Sequence, residues 1–121
     1  MSTQASLASA INAHVSVEVV HKGHNKLISP IRMGWKTTKD KGKHLNLFCY
    51  QFGGYSSRGL EPHGSKANFR CWEVKDISSV LPINAPWHGT YSFGMKRSEC
   101  IDDVISGPLE FIHFAYSSAR S

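Results

Sequence analysis

The chain has 121 residues, enough for one hydrophobic core but not for two. Its 40% hydrophobic and 19% charged residues are those of an ordinary soluble globular domain, without repeats or low complexity, and no apolar run approaches the ~20 residues of a membrane span. Lys and Arg total 14 against 9 Asp and Glu, a net charge of +5 that favours anionic partners only as a long-range bias.

Met1 to His14 lack the basic opening and long apolar stretch of a secretory signal, so a cytoplasmic location is expected. Within Thr3 to Ala13, Leu7, Ala10 and Ile11 recur at helical spacing without Gly or Pro, which predicts a short amphipathic helix. The period then drops to two. Val15, Val17 and Val19 alternate with Ser16 and Glu18, the pattern of a half-buried strand. Lys22-Gly23-His24-Asn25 is turn chemistry, and Lys26 to Ile31 reads as the returning strand. Pro30 has no N–H for a ladder, which puts this strand at an edge or ends it there. A further short strand over Gly34 to Thr38 turns at Lys39 to Gly42.

His44 to Phe52 is the strongest strand: Leu45, Leu47 and Cys49 share one face, Phe48, Tyr50 and Phe52 the other, as a central strand requires. Gly53 to Lys66 holds four Gly and one Pro and reads as a long loop, a place where function concentrates. Asn68 to Lys75 resumes as a strand, with Trp72 and Val74 on one face and Phe69 and Cys71 on the other. Asp76 to Val80 has the spacing of a brief helical turn capped by Asp76. Ile83 to Gly94 is irregular and aromatic. Ser98 to Ile105 predicts a short helix with Ile101, Val104 and Ile105 on one face, stopped by Gly107-Pro108, and Leu109 to Tyr116 fits strand or helix equally.

The fold class is therefore mainly β (α+β): one domain over 1–121, with a helical N-terminus (1–14), a β core (15–80) and an irregular or helical extension (81–121). The core is expected to be a small, strongly bent antiparallel sheet or barrel, with a short helix at the N-terminus and another near the C-terminus. Three cysteines, Cys49, Cys71 and Cys100, are an odd number without C-x-x-C spacing, so no disulfide is expected. Cys49 and Cys71, inside apolar runs, read as small buried hydrophobes.

Val17 to Val20, Gly23, Ile28-Ser29-Pro30, Lys41-Gly42 with Leu45, Leu47, Tyr50 and Gln51, and Arg70-Cys71-Trp72-Glu73-Val74-Lys75-Asp76-Ile77 with Val80 together resemble the WYL-type domain of bacterial transcriptional regulators. The Trp-Tyr-Leu tripeptide that names that family is absent; Phe48-Cys49-Tyr50 stands nearest its place. Some fourteen residues precede the first strand, too few for the family's usual helix-turn-helix. The resemblance implies an SH3-like or Sm-like barrel and a regulatory or sensor role. It also implies binding of a negatively charged ligand, nucleic acid or nucleotide-like effector. By position, Tyr50, Arg58 and Arg70 are the ligand-binding candidates.

Arg70 and Trp72, two apart in a strand, point to one face, where a guanidinium beside an indole suits stacking and phosphate binding. The blander alternative is an Arg paired with Glu73 or Asp76. Tyr50 and Phe48 fit a base-stacking platform or simply a core, and Arg58 fits an anion contact or an ordinary loop charge. Five basic residues between Arg32 and Lys43 read as a solvated hairpin tip. Among seven histidines, His21 and His24 are spaced H-x-x-H across a turn with nothing nearby to complete four ligands, so neither a metal nor another cofactor is expected. No G-x-S-x-G, P-loop or H-E-x-x-H occurs, and no catalytic residue is expected. The expectation is a non-catalytic regulatory or sensor module that binds an anionic ligand or nucleic acid through Tyr50, Arg58, Arg70 and Trp72. The alternative is a protein-interaction or assembly module, as a homo-dimer or with another protein, using Trp87, Tyr91 and Phe93.

Overall fold

The computed structural model describes residues 1–57, 59–89 and 100–107. Helix α1 (Thr3–Ala13) forms where expected: the Ser2 side chain accepts the Ala5 N–H at 3.1 Å, and His14 closes the helix in the left-handed conformation, φ 54°. Its buried residues are Leu7, Ala10 and Ile11, the predicted stripe.

Among the described residues six strands follow: β1 (Val17–His21), β2 (His24–Thr38), β3 (Gly42–Gly54), β4 (Phe69–Glu73), β5 (Ile77–Pro82) and β6 (Asp103–Ser106). All pairings are antiparallel, in the order β4-β3-β2-β1-β5, with β6 added to β2. The molecule is thus mostly β with one N-terminal helix. β4 and β5 are the outer strands of this path, yet only a 3-10 turn at Val74–Asp76 joins them. In a flat sheet four inter-strand gaps would separate them by about 19 Å. The steps from Glu73 to Ile77 reach about 14 Å at most. The sheet must bend to make the connection, though among the described residues β4 and β5 do not pair with one another and the sheet is not closed.

Both faces of β3 are covered. Leu47 and Cys49 join Leu7, Ile11, Val17, Val19, Ile28, Met33 and Ile77 under α1, with Leu45 packed alongside. Phe48 and Tyr50 join Ile31 and Ile101 on the other side, with Phe52 and Phe69 against them.

Four expectations are corrected. Lys26 to Ile31 and Gly34 to Thr38 are parts of a single strand, and Pro30 lies within it. Residues 24–28 of β2 pair with β1 and 33–35 with β6, so Pro30 falls between two neighbours, at a register shift against β3, where its missing N–H breaks no ladder. Ile77 to Val80 is strand, the helical turn ending at Asp76 instead of starting there. The helix expected over Ser98 to Ile105 is replaced, within the described residues, by β6: Val104 pairs with Gly34 and Asp103 with Trp35. Docking on β2 overrides a helical spacing that β-branched residues carried weakly. Leu109 to Tyr116, like Tyr91 and Phe93, lie outside the described residues.

Finally, Cys71 is exposed, not buried, and is disulfide-bonded to Cys100, with Cα atoms 6.4 Å apart. The bond joins β4 to the segment leading into β6, and oxidising compartments preserve bonds of this kind. Cys49 is free and buried, and burial pushes its thiol far up from the ordinary range. Thiol titration without reductant is expected to find nothing reactive in the native protein and one thiol per chain after denaturation; three would show that the Cys71–Cys100 bond does not form.

Candidate functional site

The register of β3 on β4 decides which candidates share a face. Cys49 pairs with Arg70 and Leu47 with Trp72, whereas Tyr50 pairs with Phe69 and Phe48 with Cys71. Direct partners across an antiparallel pair point the same way, so Arg70 and Trp72 lie on the Cys49 side and Tyr50 on the opposite one. Tyr50 is fully buried. Its hydroxyl accepts N–H groups from Gly64 and Asn68, tying the loop after β3 to the sheet. The structure therefore joins Arg70 to Trp72 and separates both from Tyr50. Arg58 lies outside the described residues.

Three residues not expected as ligand-binding complete the Arg70–Trp72 face. Lys26 pairs with Val19, a core residue, so it occupies a core-facing position near the start of β2. Its ammonium lies 4.6 Å from the Trp72 ring centroid and 2.9 Å from His21 Nδ1. An ammonium only donates, so Nδ1 accepts and His21 is the neutral tautomer protonated at Nε2. The His21 ring stacks on Trp72 at 4.2 Å and 15°. Burial above all, then the charges of Lys26 and Lys22, lower the His21 pKa to about 4. Arg70 Nη2 donates to Ser56 Oγ at 3.4 Å, a long bond.

The charge balance here is unusual. Lys26 and Arg70 have no carboxylate within ion-pair distance among the described residues, where the salt bridges are Lys36–Asp102 and Lys41–Glu73. Neither Glu73 nor Asp76, the carboxylates considered for Arg70, is bonded to it. Arg70 Nε is buried without an acceptor among those residues. Burial first, and then the Arg70 charge, lower the proton affinity of Lys26. Two half-buried cations thus repel each other beside an aromatic ring, an arrangement that an anion between them would relieve.

Neighbouring features suit an anion less well. A cleft of about 240 Å³ beyond His21 and Trp72 is lined by Lys22, Lys41 and His44 but also by Glu73 and Asp76. The basic cluster of Arg32 to Lys43 does not form one patch: Arg32 is buried, Lys36 and Lys41 are ion-paired, and Lys43 lies over Trp35. Trp87, offered as an interaction surface, is occupied internally, its Nε1 donating to Pro30 O at 3.0 Å and its ring stacked on His14.

The sequence signal for Lys26 was its parity. It shares a face with Ile28, so a lysine stood at a core-facing position of an amphipathic strand. Compared with protein-family models, with curated proteins and with solved structures, the chain gives no match.

Proposed function

We propose that this protein is a non-catalytic binding module for an anionic ligand, a nucleotide or nucleic acid, held at the Lys26–Arg70–Trp72 face. The WYL-type resemblance gives the module a regulatory or sensor role. The observation that carries the binding reading is the Arg70 guanidinium, which among the described residues is buried at Nε without an acceptor and set beside a second cation, Lys26, that has no carboxylate in ion-pair reach. Arg is suited to such a place because its planar fork meets phosphate oxygens in pairs. The strand order, and the 3-10 turn that carries the chain from β4 to β5, support an SH3-like or Sm-like arrangement of the sheet. In this reading Tyr50 anchors the loop and does not touch the ligand.

Titration of a short single-stranded oligonucleotide at rising salt tests the proposal. Affinity is expected to fall linearly with salt on logarithmic axes, and Arg70→Ala to weaken binding about tenfold and flatten that slope by about 0.7. Absence of any attraction to nucleotides, polyphosphate or nucleic acid at low salt would refute it. A stability measurement separates this from a structural role. Arg70→Met is expected to leave the melting temperature unchanged or raise it, because it removes an unsatisfied buried donor and a repulsion with Lys26. A fall of several degrees would show instead that Arg70 holds the sheet together.

A further inference from the structure

Among the described residues, Tyr55 is the ring beside this cluster that combines large exposure with a fixed position. It keeps 48% of its surface exposed, and its ring stacks on that of exposed His24 at 3.9 Å and 16°. Its backbone is held on both sides of the Cα: the N–H donates to Asn25 O at 2.9 Å, and the carbonyl accepts from Gln51 Nε2 at 2.8 Å. Gln51 is itself only 1% exposed, so its grip on the Tyr55 carbonyl comes from the interior. Gly54 precedes it with φ +80°, and a Cβ there would lie 2.6 Å from Lys26 Cα. The chain therefore packs directly on β2 as it delivers the ring.

The ring pair adjoins the two cations. His24 and Lys26, two apart in β2, point to the same face about 6.7 Å from one another along the strand. Ser56, next to Tyr55 in the chain, is the residue that receives Arg70. Trp72 is less able to take a ligand ring, since one side packs on the core and His21 and Lys26 lie against it. An inorganic anion or a carboxylate would use the cations and leave the Tyr55 ring idle. A nucleotide has both a charge and a flat face, and within nucleic acid an unpaired strand, unlike a stacked duplex, offers that face to a side chain.

Resting on the anion-binding reading above, we infer that Tyr55 with His24 forms a base-stacking subsite for single-stranded nucleic acid, one base lying on the exposed ring while the adjoining phosphate meets Lys26 and Arg70. Fluorescence anisotropy on the full chain at low salt, with an oligothymidine, an abasic strand of equal length and a polyglutamate as probes, tests it. Oligothymidine should bind best. Tyr55→Ala should cost it about tenfold while barely changing the abasic strand, and Tyr55→Phe should retain wild-type preference because the ring remains. Equal wild-type affinity for oligothymidine and the abasic strand would overturn the stacking subsite and leave the anion site standing. So would an equal loss on both probes in Tyr55→Ala, which would mark Tyr55 as a support for the loop. Polyglutamate binding as tightly as oligothymidine would overturn the choice of nucleic acid. Failure of all three probes to bind would remove the anion-binding reading itself.

Discussion

Gly34→Ala is expected to destabilise the protein by about 3 kcal/mol, lowering its melting temperature by roughly ten degrees. Gly34 sits in β2 at the point where β6 crosses it, paired with Val104 beside a register shift. A Cβ at this position would collide with the Asp103 carbonyl, lie 2.6 Å from Ile101 Cγ2 and 2.9 Å from Val104 Cα. Two of those atoms are backbone, and a strand held by ladder hydrogen bonds cannot rotate away as a side chain can. Relief requires β6 to lift, which would expose Ile101, only 3% accessible in the native fold, and would pull on the Asn46 Nδ2 bond to Cys100 O at 2.8 Å. Gly42→Ala is the matched control. Gly42 has φ +68° but nothing within 4 Å of an added Cβ, so only its backbone strain of about 1 kcal/mol applies. Equal costs at the two positions, measured by urea unfolding, would mean that β6 does not dock on β2 as described.

That contact also marks where local reading of the sequence stops. Alternation within β1 and β3, and the apolar stripe of α1, follow from side chains a few residues apart, and each was visible without a structure. The fate of Ile101, Val104 and Ile105 was not. Their i, i+3, i+4 spacing fits a helix, and only the presence of β2 alongside favours a strand. The candidate site failed in a related way. Grouping Tyr50 with Phe48, and Arg70 with Trp72, was correct inside each strand. Whether the two pairs share a face depends on Cys49 rather than Tyr50 lying opposite Arg70. A slip of one residue would exchange the faces, and nothing local in either strand specifies the register. His21 and Lys26 were hidden for another reason: each gains its meaning from Trp72, which lies some fifty residues away along the chain.

His21 should make the fold acid-labile well above the range in which carboxylates titrate. Its pKa falls from 6.5 to about 4 on folding, while only 5% of the residue is exposed. Between those values the unfolded chain binds a proton that the folded chain refuses, so stability falls as the pH drops through the interval and is fully present above 6.5. For this one group the loss between pH 7.5 and pH 5 is about 2 kcal/mol. His88, whose pKa is lowered by burial and by the nearby His63, adds a contribution of the same sign. Urea unfolding at both pH values is expected to show the loss, and His21→Gln to remove most of it, because glutamine can still accept from Lys26 and does not take up a proton. A pH profile unchanged by that substitution would mean His21 is not held neutral. The same linkage bears on function. A proton on His21 would end the bond from Lys26 and put a third positive charge beside Trp72, which costs stability in the empty site but strengthens attraction for an anion. Binding near pH 5 should therefore draw protons from solution, readable as a buffer-dependent heat in calorimetry, and His21→Gln should abolish most of that uptake while leaving binding at pH 7.5 in place.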